Sequence, residues 1–225
     1  MAVKTENLKI AIDGKWELND WHEFSYAYTQ VYSLLYSIAE SSAANHDKKN
    51  EPEEKGANWF WVEQRTAYTR YPWRGGYSAF DFYQELYYSI PAENRPKVKS
   101  ISYSSPGWLE LTLVATMALS IEKIVKSIAR SVDIIDATVD RMHKRAQKRK
   151  LLRATTRNRE FKLTAEDIHF LKESSEELAR LMGFDSLEQL HKFTGDPLVS
   201  FKILLSFYRR VRPLVDYQNR RQIKF

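Results

Sequence analysis

Between residues 125 and 146 the apolar side chains fall at Val125, Ile128, Val132, Ile135, Val139, Met142 and Ala146, a 3,4,3,4,3,4 spacing without a miss. A strand repeats every two residues, so only an α-helix turns all seven to one side. Ala118 and Ile121 carry the pattern backward, which predicts one long helix within 116–160. A seam sustained over three to four heptads is also the signature of a coiled coil. Side chains of this size forfeit about 1.5–3 kcal/mol each when left in water. Something must cover the seam, either the chain's own helices or another copy. The regularity points to another copy: a homo-oligomer with Val125, Ile128, Val132, Ile135, Val139 and Met142 at its interface.

The seam runs into RMHKRAQKRKLLRATTRNR (141–159), nineteen residues with nine Lys or Arg and no Asp or Glu. The whole chain carries +6, so without these nine the balance is 26 basic against 29 acidic residues, a net of −3. The positive excess is local, which suggests an anionic partner for this part. Three readings compete. A solvated helix face normally pairs its lysines with acids at i±4, and none is present. An anionic membrane surface requires large apolar residues opposite the charge, and the segment offers only Met142, Leu151 and Leu152. Nucleic acid fits better: Arg141, Lys144, Arg145 and Lys148 share a helical face that Arg149, Arg153 and Arg157 continue, a spacing able to follow phosphates. An acidic protein partner, or the chain's own acidic stretch 47–54, is a further option.

Aromatic residues are distributed the other way. All six Trp and eleven of the thirteen Tyr precede residue 109, which argues for a compositionally distinct first unit. Leu8, Ile10 and Ile12 alternate as a strand ended by Asp13-Gly14. Asp20 with Glu23 reads as a capping box opening a helix over about 20–40, whose apolar residues recur at helical spacing. The polar stretch 41–58 is expected to be an exposed loop, and Trp59 to Val62 a short strand. Ser78 with Asp81 should cap a helix that stops at Pro91. Val98, Ile101 and Tyr103 suggest a strand, 104–107 a turn and WLELTLV (108–114) a second strand, unless Pro106 opens a helix there.

Beyond the basic segment, Thr164 with Asp167 caps a helix that Gly183 ends, and Asp185 with Glu188 starts a short one closed by Gly195. Asp196-Pro197 opens a last helix, expected to end at Pro213. The expected fold is α+β: an aromatic-rich small sheet with helices (1–115), the heptad helix with its basic end (116–160) and an all-α bundle (161–225).

No phosphate-binding glycine loop, HExxH or GxSxG motif is present. The five histidines are scattered, and with no cysteine the chain has no thiol chemistry or disulfides, in keeping with a reducing cytoplasm. His169 with Glu173, and Asp133, Asp136 and Asp140, share helix faces, but such carboxylates are usually solvated; neither a metal nor another cofactor is expected. Gly75-Gly76 ahead of a helix reads as a turn. Tyr68, Tyr71 and Trp73, interleaved with Arg70 and Arg74, suit base stacking, although a core role for these rings is commoner. No apolar run approaches the length of a membrane span, and MAVKTENLKI has no leader-like apolar region. These features point to a cytoplasmic, non-enzymatic, oligomeric adaptor whose basic segment engages nucleic acid. The competing readings are a scaffold subunit that binds only proteins and, last, an enzyme with an unrecognised site at 67–77.

Overall fold

A computed structural model describes residues 5–47, 67–68, 76–104, 106–152, 163–184 and 187–225. The expected elements at Trp59–Val62, the turn at Gly75, the cap at Asp185 and most of 67–77 lie outside these residues. Four strands form one antiparallel sheet: β1 (Thr5–Ile12), β2 (Lys97–Ser102), β3 (Gly107–Val114) and β4 (Ile223–Lys224), in the order β2-β3-β1-β4. Between β1 and β2 lie helices α1 (Leu18–Asp47) and α2 (Gly76–Ser89). Between β3 and β4 come α3 (Ala115–Ala129), α4 (Val132–Lys148), α5 (Ala165–Leu181), α6 (Glu188–Thr194) and α7 (Pro197–Asn219). With β3 inserted between the parallel pair β1 and β2, this is a split β-α-β connectivity, and the α+β expectation holds.

The β2-β3 hairpin is the one read from alternation, so residues 108–114 are strand and not the opening of a helix. Gly107 is required where it sits, because a Cβ there would lie 2.3 Å from the Ser102 carbonyl oxygen and 2.6 Å from that of Ser104. Ile10 pairs with Leu109 and Leu8 with Leu111, which sends one apolar face of the sheet onto the helices.

The core is one continuous cluster running from Ile10 through α1, α3, α4 and α7 to Ile223. Residues from all three expected units enter it, and β4 closes onto β1, so the segments 1–115, 116–160 and 161–225 do not form separate cores. At its centre, residues 30–37 of α1 and 198–208 of α7 are buried on every side, as expected of helices enclosed by other elements. Several helix limits differ from those expected from the sequence, and α2 already begins at Gly76, so Ser78 lies within it and is not its cap. Helix α1 begins at Leu18, where Asp20 accepts the Glu17 N–H at 2.8 Å, and it runs on to Asp47, into the stretch expected to be loop. Helix α7 passes through Pro213. The carbonyl deprived of a partner there is that of Arg209, an exposed residue whose backbone water can satisfy, while Val211, Leu214, Val215 and Tyr217 stay buried.

The long heptad helix is also corrected. It is interrupted at Arg130-Ser131, where the Ser131 N–H bonds back only three residues to Ile128. The reason lies in what each half covers: α3 packs on α1, α7 and the sheet, whereas α4 packs on α5. One straight helix could not turn a single stripe to both. Val125, Ile128, Ile135 and Met142 are buried, with Val132 and Val139 packed against the same core. The chain covers its own seam, so an uncovered apolar stripe no longer argues for a second copy.

The Tyr32 hydroxyl ties these layers together, donating to the Asn94 carbonyl at 2.5 Å and accepting the Val114 N–H at 3.3 Å, all in the interior. Asn94 Nδ2 in turn donates to the Tyr36 hydroxyl at 2.9 Å. Tyr32→Phe removes one oxygen but orphans two buried backbone groups, each costing about 1–3 kcal/mol. A loss of about 2–4 kcal/mol in urea unfolding is the expected result; a change under about 0.5 kcal/mol, as at an ordinary surface site, contradicts the bonding described.

Candidate nucleic-acid interface

Helix α4 buries Ile135, Thr138, Met142 and Ala146, so the opposite side faces solvent. Ala137, Asp140, Arg141, Lys144, Arg145 and Lys148 line an open groove of about 490 Å³ on that side. All six come from a single helix, which makes this a surface and not an enclosed pocket for a small molecule.

The seven expected contact residues do not act alike. Arg141 donates to Glu177 on α5 and to Thr138 Oγ1, both at 3.3 Å. Arg149 leaves the basic face altogether. It donates to Asp167 at 2.8 Å, lies 3.9 Å from Glu166 and stands over the Phe170 ring. The cause is the helix end. Lys150 adopts a left-handed backbone (φ 59°), its N–H bonds to Gln147, and the Leu151 N–H reaches the Ala146 carbonyl at 2.9 Å. This pair of bonds is a Schellman stop, with Leu151 fully buried. The continuous basic face expected through Arg149 and Arg153 therefore ends at Lys148. Arg153 and Arg157 lie outside the described residues. Among the described residues no carboxylate forms an ion pair with Lys144, Arg145 or Lys148.

The acids that the sequence reading missed sit on α5, 18 and 36 residues from their partners. No local periodicity connects such positions. What was legible is the Thr164–Asp167 capping box, present in both directions. Burial opposes the charged form of Asp167, but the hydrogen bonds from Arg149 and Thr164 outweigh it and hold the carboxyl below its ordinary range.

A left-handed lysine costs about 1–2 kcal/mol relative to a residue without Cβ, partly offset by Lys150's charge near the helix C-terminus. Lys150→Gly is accordingly expected to raise stability by about 0.5–1 kcal/mol. Thermal unfolding checks this, and a fall in midpoint would contradict the conformation.

Compared with known protein families, curated proteins and solved structures, the chain matches none.

The other sites expected from sequence fare differently. Tyr68 is fully buried, bonded to Ser37 Oγ at 2.9 Å and edge-on to Phe82. It cannot receive a base from solvent, which removes it from the stacking set. Tyr71 and Trp73 lie outside the described residues. Asp136 is taken up by Tyr208 and by Arg212 at 3.2 Å, which ties α4 to α7. His169 and Glu173 pair at 3.2 Å on an exposed face. Among the described residues no group of three or more His, Asp or Glu could hold a metal ion, and no helix is long and apolar enough to cross a membrane.

His191 Nδ1 lies 3.0 Å from Ser200 Oγ, the pairing an activated serine would need. Ser200 is fully buried and also bonded to Thr194 Oγ1 at 2.6 Å. Burial holds the imidazole below its ordinary pKa against the pull of Glu176. The hydroxyl has no approach for a substrate, and the trio fastens α6 to α7.

Proposed function

We propose that this chain is a non-enzymatic binding protein of the adaptor type, whose α4 face engages the phosphates of nucleic acid. The observation that carries the reading is Lys144, Arg145 and Lys148, exposed along one helix without a carboxylate partner among the described residues, beside Arg141. Exposed cations of one sign that the fold leaves uncompensated attract polyanions and release counterions on contact. Asp140 also lines the groove and interrupts its positive lining. Nothing on this face resembles a base-reading element, so sequence preference is expected to be slight.

The test is a salt titration of binding to duplex and single-stranded DNA and RNA, comparing wild type, K144E/R145E/K148E and R149Q. The triple variant loses binding and keeps its fold. R149Q keeps its binding and loses stability, because its partners are Asp167 and Phe170. Equal binding by wild type and the triple variant, or binding by neither at low salt, overturns the reading in favour of a scaffold that binds protein.

A further inference from the structure

The register of the sheet places a second surface on the side away from the helices. Along the outer face, one row across the strands reads Ser102 on β2, Trp108 on β3, Ala11 on β1 and Lys224 on β4. The next row is Ser100, Glu110 and Lys9, and the one after it Lys97, Thr112 and Asn7. An antiparallel sheet can turn one face to water, and most of these residues suit that. Trp108 does not: its indole is 39% exposed in the end row of an otherwise polar face.

Its setting accounts for what it could receive. The two residues beside it in its row, Ala11 and Ser102, are small. Lys9 Nζ lies over the ring at 5.2 Å, held by cation–π attraction at the end of a flexible side chain. Glu110 is the acid of these rows, and it is already matched: Lys99 donates to it at 3.0 Å and Ser100 at 2.9 Å, which keeps its carboxyl below the ordinary range. Lys9, Lys97 and Lys224 are exposed and form no ion pair among the described residues.

We infer that this open sheet face is a base-stacking surface for single-stranded nucleic acid. An aromatic ring with one cation over it and others farther along the same face meets the two demands of a single strand, a platform for an unpaired base and charge for the backbone. A base settling on Trp108 displaces Lys9, which then turns to a phosphate. Duplex does not satisfy the site, because its bases are already stacked on one another. The surface is separate from α4 and stands whether or not that helix binds phosphate.

The experiment is fluorescence anisotropy with a labelled oligothymidylate, an abasic strand of equal length and a duplex. It uses wild type, W108A, W108F and K9E/K224E, each also in the K144E/R145E/K148E background. W108A should weaken oligothymidylate about tenfold and leave the abasic strand and the duplex unchanged. W108F should recover most of the loss, and K9E/K224E should weaken both single strands. The W108A effect should persist in the α4-reversed background, which separates failure here from failure there. Equal affinity of wild type and W108A for oligothymidylate, an equal loss on the abasic strand, or displacement by polyglutamate as readily as by unlabelled oligothymidylate overturns the inference. Should W108A fail to fold, the contrast between W108F and K9E/K224E on the two single strands decides it.

Discussion

Reversing Lys144, Arg145 and Lys148 to Glu is expected to cut affinity for duplex DNA at least about a hundredfold near 0.15 M salt. Each phosphate neutralised on a duplex releases about 0.9 of a counterion, so three contacts contribute about 2.7 to the slope of log affinity against log salt. At that salt concentration the same term amounts to about two decades. Repulsion from the introduced carboxylates adds to it. The three side chains are exposed and unpaired among the described residues, so the unfolding midpoint should move little, as for ordinary surface changes. The readout is the slope as much as the affinity. A variant that binds more weakly with an unchanged slope has lost shape and not phosphate contacts, and the α4 assignment then fails.

Ile128→Ala is expected to cost about 2–5 kcal/mol, the range for emptying a fully buried aliphatic site. Ile128 is fully buried on the seam within one chain, and its neighbours in the core come from other elements of that same chain. The cost should therefore be the same at every protein concentration, whereas an interface between copies would make the midpoint rise with concentration. Ile134, on the same stretch of chain but 64% exposed, provides the contrast: Ile134→Ala should stay within about 0.5 kcal/mol. Urea unfolding of both variants at two protein concentrations checks the pair. A concentration-dependent midpoint would return the seam to an oligomer.

Features encoded within a few neighbouring residues could be read from the chain alone. Alternation in 108–114 marked β3, the Thr164–Asp167 and Asp196-Pro197 caps marked α5 and α7, and Gly183 and Gly195 took the left-handed positions that end helices. Each of these is decided by local backbone and hydrogen-bond chemistry, so spacing alone reveals it. The 3-4 repeat likewise fixed which side chains are buried. It could not say against what, because a stripe covered by α5 and α7 has the same spacing as one covered by another copy. Tertiary structure alone decided the break at Arg130-Ser131, since the two halves of the stripe face different neighbours. It also carried α7 through Pro213, where burial of the residues around the proline offsets one lost hydrogen bond. The candidate site divides the same way. The positive run was plain in the sequence, but Arg141 and Arg149 meet acids far along the chain, and Lys150 turns the backbone away. Charge is a property of the residue, whereas its compensation depends on which distant carboxylate the fold brings within a few ångströms.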